Sequence, residues 1–206
     1  KALMRLVPPA VDVHVALIGI ASLGAAVDVL GDVVRAGSVV EAAEFFHADG
    51  LALVRETLGL RPPFPVDHPT YLLLELSRTT QDDVADLLDR QGHRVADATI
   101  DAGPASRLWA YREAHTEAVS AAAASGGAPA VKVDVSVPLT RHGPFESELR
   151  TVLTARFPTA QVVTYGHLAE GNSHVNLLGL PEDAAEGATD VVLRLVVQYG
   201  GSISAE

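Results

Sequence analysis

Polar and apolar positions along the chain switch between two periods, and the switches mark out its elements. Residues 11–17 (Val-Asp-Val-His-Val-Ala-Leu) alternate with period two and predict a strand with one buried face. After Ser22 the spacing becomes helical: Leu23, Val27, Leu30 and Val34 share one face, Ser22 serves as N-cap and Gly37 as the stop. Residues 39–46 predict a second strand and 48–58 a helix, followed by a proline-rich loop over 61–69. A third strand at 71–77 precedes a helix opened by Thr80 or Gln81, carrying Val84, Leu87 and Leu88 and closed by Gly92. Residues 93–100 give a fourth strand, and 2–7 a short one ended by Pro8-Pro9. Without the helix at 48–58, the order is β-α-β-β-α-β.

A long helix is predicted over 104–124, apolar at Leu108, Tyr111, Val119 and Ala122 and broken by Gly126-Gly127. The order then repeats. Strand 131–137, helix 144–157, strand 161–165, returning strand 174–180, a helix within 181–199 and a turn at Gly200-Gly201 into 202–205 again give β-α-β-β-α-β. The fold class is α+β: two ferredoxin-like units joined by a long helix, antiparallel sheets with helices packed on one face. The halves are 1–103 and 104–206, related by element order alone, since no residues align between them.

The hairpin in the second half holds the candidate chemistry. With Glu170-Gly171 as a two-residue loop, His167 and His174 oppose each other across the strands. Opposed Cβ atoms lie roughly 4.5–5.5 Å apart, close enough for two imidazoles to share one metal ion at ~2.0–2.1 Å per bond. Asn176 falls on the same face as His174. The competing reading is that these are ordinary surface or hydrogen-bonded core histidines, two of the eight in the chain.

Composition narrows the classes. With 206 residues, 48% hydrophobic and 20% charged, the chain is globular and long enough for a substantial core. A net charge of −11 with no basic block argues against nucleic acid. The absence of cysteine removes disulfides, thiolate metal ligands and a thiol nucleophile, and suits a cytoplasmic setting. No apolar run approaches the ~20 residues of a membrane span, and no leader peptide is evident. The chain begins at Lys1 without an initiator methionine and stops at Glu206, so both ends are expected to be cut.

Four motifs occur in order: Leu108-Trp109-Ala110-Tyr111-Arg112-Glu113; Lys132-Val133-Asp134-Val135-Ser136-Val137-Pro138; Gly166-His167 through Asn172-Ser173-His174-Val175-Asn176; and Gly200-Gly201-Ser202-Ile203-Ser204-Ala205-Glu206. The series resembles the C-terminal domain of FAD-linked oxidases, in the branch with D-lactate dehydrogenase, the glycolate oxidase D subunit and D-2-hydroxyglutarate dehydrogenase. The resemblance extends more weakly over the first hundred residues, through Leu6-Val7-Pro8 and 41–46. It implies a cap domain whose partner, an N-terminal FAD-binding domain, is absent from this chain. It further implies His167, His174 and Glu206 as ligands of a divalent metal, zinc or manganese, with a position left open for substrate. Arg112 and Lys132 would bind the substrate carboxylate, Thr116 one helical turn from Arg112 would donate its hydroxyl, and Asn176 would be a pocket amide. On pattern alone, Arg112 would instead pair with a neighbouring acid and Lys132 would be a solvated strand residue. Asp134 and Ser136 read as strand supports, and Trp109 as a packing anchor.

The family's catalytic base, a histidine, would follow Glu206. The family hairpin usually reads Gly-Asp-Gly where this chain has Ala169-Glu170-Gly171, and a leucine where it has Ser173, so the turn is expected to differ in shape. The expected function is the substrate domain of an FAD-dependent, metal-assisted dehydrogenase converting a D-2-hydroxy acid to a 2-oxo acid. Its partners would be the FAD domain, the hydroxy acid and an unidentified electron acceptor, with room for a homodimer. The alternatives are a flavoenzyme cap for a non-acid alcohol, or a non-catalytic metal-binding or dimerisation module.

Overall fold

The computed structural model describes residues 9–103 and 106–203. The strand expected at 2–7, the start of the long helix at Pro104, and Glu206 lie outside them. In chain order the first half contributes β1 (His14–Ile20), α1 (Leu23–Arg35), β2 (Val39–His47), α2 (Ala48–Leu58), β3 (Thr70–Ser77), α3 (Gln81–Asp89) and β4 (Val95–Ala102). The link is a 3₁₀ turn at Arg107–Trp109 followed by α4 (Ala110–Glu113) and α5 (His115–Gly126), joined through Ala114, which keeps helical backbone angles. The second half contributes β5 (Val131–Ser136), α6 (Leu139–Arg156), β6 (Gln161–His167), β7 (Asn172–Leu178), α7 (Ala185–Gln198) and β8 (Ser202–Ile203).

Both β-α-β-β-α-β units are present, and they merge. The eight described strands form one antiparallel sheet in the order β4-β1-β3-β2-β6-β7-β5-β8. The seam is β2 against β6, the second strand of each unit, with Glu44 opposite His167, Phe45 opposite Gly166 and Phe46 opposite Tyr165. This junction exceeds the sequence reading, in which each unit had its own sheet.

The four helices of the two units, α1, α3, α6 and α7, pack on one face as expected, and α2 with the linking α5 covers the other. Ile18, Phe45 and Leu74 face α1 and α3, and Val135, Val175 and Leu177 continue that face under α6 and α7. The alternate positions Leu17, Phe46, Tyr71, Leu73 and Tyr165 face α2 and α5 on the other side. Double coverage explains why β1 is buried from Val15 to Ile20 and runs three residues past the expected 11–17. Within α1 the buried face is Leu23, Ala26, Val29, Leu30 and Val33; Val34, expected on it, is 56% exposed.

The α6 helix begins at Leu139, five residues before the expected start at Pro144. Pro144 sits inside the helix, where it cannot donate to the Thr140 carbonyl and its ring crowds that carbonyl, a cost of ~3 kcal/mol that the packing of α6 outweighs. The turn before it brings Gly143 against α1, where an added Cβ would lie 2.7 Å from the Gly24 Cα. On the α5 side of the sheet, Lys132, Asp134, Ser136, Asn172 and His174 remain half-buried or exposed. That polar strip beside α5 is where the site forms.

Candidate functional site

The hairpin does not have the expected register. Leu168–Glu170 form a 3₁₀ turn and Gly171 takes a left-handed conformation at φ 64°, so four residues separate the strands. Tyr165, not His167, stands opposite His174. The displacement is two residues, which preserves the alternation of faces. His167 and His174 therefore still share a face, on a diagonal. Leu168 is fully buried and anchors the turn, while an added Cβ at Gly171 would fall on the Val137 carbonyl oxygen. Ala169 avoids positive φ, so its substitution for glycine leaves the turn intact. Ser173, where the family pattern has leucine, is fully buried and bonded to the equally buried His142, Oγ to Nε2 2.7 Å.

The two imidazoles converge. Their Nε2 atoms are 3.3 Å apart and their rings meet nearly edge to face. On the far side of each ring, Nδ1 donates to a carboxylate: His167 to Glu44 Oε1 at 2.8 Å, and His174 to Asp134. An ionised carboxylate only accepts, so each imidazole carries a proton on Nδ1, and in the neutral rings the lone pair is on Nε2. With both rings neutral, two lone pairs face each other across 3.3 Å. Two Zn–N bonds of ~2.0–2.1 Å at a tetrahedral angle span about 3.3–3.4 Å. Carboxylate–imidazole pairs are also the usual outer support of metal-binding histidines. The residues fit a divalent cation. Among the described residues no third histidine or carboxylate completes the set. Ile203, three residues before Glu206, pairs with Val135, the neighbour of Asp134.

Arg112 lies beside this pair. It is buried, its Nε donates to Glu44 Oε2 at 2.8 Å, and its guanidinium stacks 4.8 Å above the Tyr165 ring. The pairing with an acid is the pattern-only reading of this arginine, but the acid is the one that also holds His167. Its Nη atoms make no hydrogen bond among the described residues. Thr116 does lie next to Arg112, yet its hydroxyl is bonded to the Tyr165 hydroxyl at 3.1 Å. Tyr165 thus touches Arg112, Thr116, His174 and His115. Burial, then the Arg112 charge, push His115 down to a pKa of about 4, so it stays neutral.

Lys132 is exposed, with its Nζ 3.2 Å from the Ser120 hydroxyl and no acid partner among the described residues. Asn176 shares the face of His174 but is buried, its amide donating to the Val163 and His174 carbonyls. It braces the two strands here and does not open with the histidines, because α5 packs across that part of β7. Sequence reading missed Glu44 and Tyr165 and gave Asp134 only a strand role. The available signal for Glu44 was an acid between Ala43 and Phe45-Phe46 in a strand buried on both sides.

A family model described as FAD linked oxidases, C-terminal domain, matches residues 10–206. D-2-hydroxyglutarate dehydrogenase of Stutzerimonas stutzeri is 31% identical over 179 residues, covering 80% of this chain and 37% of its own length. The protein of that name from Xanthomonas citri pv. viticola is 31% identical over 222 residues, covering 100% and 45%. The mitochondrial one of Rattus norvegicus is 31% identical over 180 residues, covering 82% and 32%. The chain spans less than half the length of these relatives. Among solved structures, alkyldihydroxyacetonephosphate synthase superposes with a TM-score of 0.63 at 12% identity, over 96% of this chain and 41% of that one. p-Cresol methylhydroxylase gives 0.62 at 11% identity, over 95% and 45%. At such identity the likeness is one of fold. With nearly all of its length matched by the family model, this chain belongs to the C-terminal domain family of FAD-linked oxidases.

Proposed function

We propose that this chain is the substrate domain of an FAD-dependent dehydrogenase that oxidises a D-2-hydroxy acid to a 2-oxo acid. His167 and His174 would hold a divalent cation, zinc or manganese, with Glu206 as third ligand. The observation that carries this reading is the 3.3 Å approach of two Nε2 atoms whose opposite nitrogens both rest on carboxylates. The names of the relatives point to D-2-hydroxyglutarate as the first substrate to test.

When bound, the cation supplies Lewis-acid polarisation of a hydroxyl oxygen, and FAD, held by a domain outside this chain, supplies the hydride acceptor. This chain's residues bind and orient. Glu44 and Asp134 keep both Nε2 lone pairs turned toward the shared space. Arg112, fixed by Glu44 and Tyr165, offers its Nη edge to a substrate carboxylate, where a guanidinium sets direction as well as charge. Lys132 adds a second positive charge from the neighbouring strand β5. Thr116, restrained by Tyr165, lines the approach to Arg112.

The test uses the full-length flavoprotein, stripped with a chelator and assayed with an artificial electron-accepting dye. D-2-hydroxyglutarate and D-lactate are expected to be oxidised, their L-enantiomers and p-cresol not, with activity lost on stripping and restored by zinc or manganese. Oxidation of p-cresol in place of the acids, or full activity after stripping, would overturn the reading.

A further inference from the structure

We propose that Glu44, on a strand of the other half of the molecule, is the positioning residue that joins the imidazole pair to the arginine. Its carboxylate is buried and shared: Oε1 accepts from His167 Nδ1 at 2.8 Å, and Oε2 accepts from Arg112 Nε at 2.8 Å. The placement follows from the seam, because Glu44 stands directly opposite His167 where β2 meets β6. Asp134 serves only one imidazole. Glu44 serves two groups that must act on the same molecule, so it sets the distance and angle between them.

A buried carboxylate between two donors has little freedom. Arg112 is also fixed from above by the Tyr165 ring, and Tyr165 contacts His174. The contacts run His174–His167–Glu44–Arg112–Tyr165 and return to His174, a closed ring drawn from α4, β2, β6 and β7, with Asp134 of β5 attached at His174. The first half of the molecule therefore completes the site as well as extending the sheet. A glutamine at 44 cannot satisfy both donors. If its oxygen faces Arg112, its N–H₂ meets His167 Nδ1 and forces that proton to Nε2, which removes the lone pair facing His174.

The inference rests on the hydroxy-acid reading only for what the ring is aimed at; the tautomer and the geometry stand without it. Two measurements on the full-length protein test it. In metal-free protein with 15N-labelled histidine, His167 should carry its proton on Nδ1, and Glu44→Gln should move it to Nε2 or mix the two forms. In a zinc titration against a competing chelator, Glu44→Gln should weaken zinc binding at least about 10-fold, with Glu44→Asp recovering part of the loss and KM for the hydroxy acid rising more than kcat falls. A wild-type His167 protonated on Nε2, or a folded Glu44→Gln protein with unchanged tautomer and zinc affinity within about two-fold of wild type, overturns the proposal. Should wild type bind no zinc while Glu44→Gln still shifts the His167 proton, the positioning role stands and the metal reading fails. Should Glu44→Gln not fold, the wild-type tautomer and the Glu44→Asp titration decide.

Discussion

Arg112 and Glu44 bury opposite charges 2.8 Å apart, and neither can be removed without stranding the other. Breaking a buried pair in this way costs about 3–5 kcal/mol, so Arg112→Ala should lower the urea midpoint markedly. Its loss of activity must therefore be read against a folded control such as Arg112→Lys. Asp134 is different. It is partly exposed and, among the described residues, bonded to His174 alone, so Asp134→Asn should leave the melting temperature within a few degrees while weakening zinc about 10-fold. A chelator-competition titration beside a thermal melt checks both halves of that statement. These residues were unequally legible. His167 and His174 showed in the sequence because spacing and strand alternation put them on one face, and a register error of two residues kept that parity. Glu44 did not, because its partner is 123 residues away and the contact exists only where the two units join.

At the scale of elements, the hairpin and α6 hold the site in register. Gly171 combines positive φ with a Val137 carbonyl in the way of any Cβ, so Gly171→Ala must shift the turn that spaces His167 from His174. The expected outcome is loss of zinc binding well beyond any change in melting temperature. On the opposite face, α6 is tied to β2 and α2 by a partly buried polar joint. Arg150 bridges Asp49 at 2.6 Å, Glu146 and Thr164 at 2.9 Å, and His47 lies 3.0 Å from Glu146. A cleft of about 730 Å³ opens beside this joint, away from the histidine pair, and its charged groups are spent on one another. Arg150→Ala should cost about 3 kcal/mol by leaving Glu146 buried without its guanidinium, read from denaturant melts. Helices and strands were legible from period and caps, as at Thr80, expected at the opening of α3 and found there as its N-cap. The start of α6 and the side of the sheet on which α2 and α5 pack were not. The first depends on packing around Pro144, and the second on how the strands pair.

Over the whole molecule, one continuous sheet with helices on both faces buries histidines that sequence pattern treats as polar. His115 and His142 are each held neutral by burial, with pKa values pushed down to about 4 from 6.5. The unfolded chain binds more protons between those values, so folding stability is full above pH 6.5 and falls as pH drops toward 4. Each histidine contributes up to about 3 kcal/mol to that fall. Glu146 adds a later loss: burial would raise its pKa, but His47, Arg150 and Thr164 outweigh burial and bring it to about 2, so its contribution disappears between 4.5 and 2. Denaturant midpoints at pH 7.5, 5.5 and 4.5 should decline in that order, most steeply across the lower interval, and a flat profile would contradict the buried-neutral assignment. The proposed chemistry depends on one cation between two imidazoles. Crystals of the full-length protein soaked in zinc and measured at the zinc absorption edge test this most directly. The prediction is a single strong anomalous peak ~2.0–2.1 Å from the Nε2 atoms of both His167 and His174. Density showing the two rings turned apart, or zinc bound elsewhere with this space empty, would contradict it.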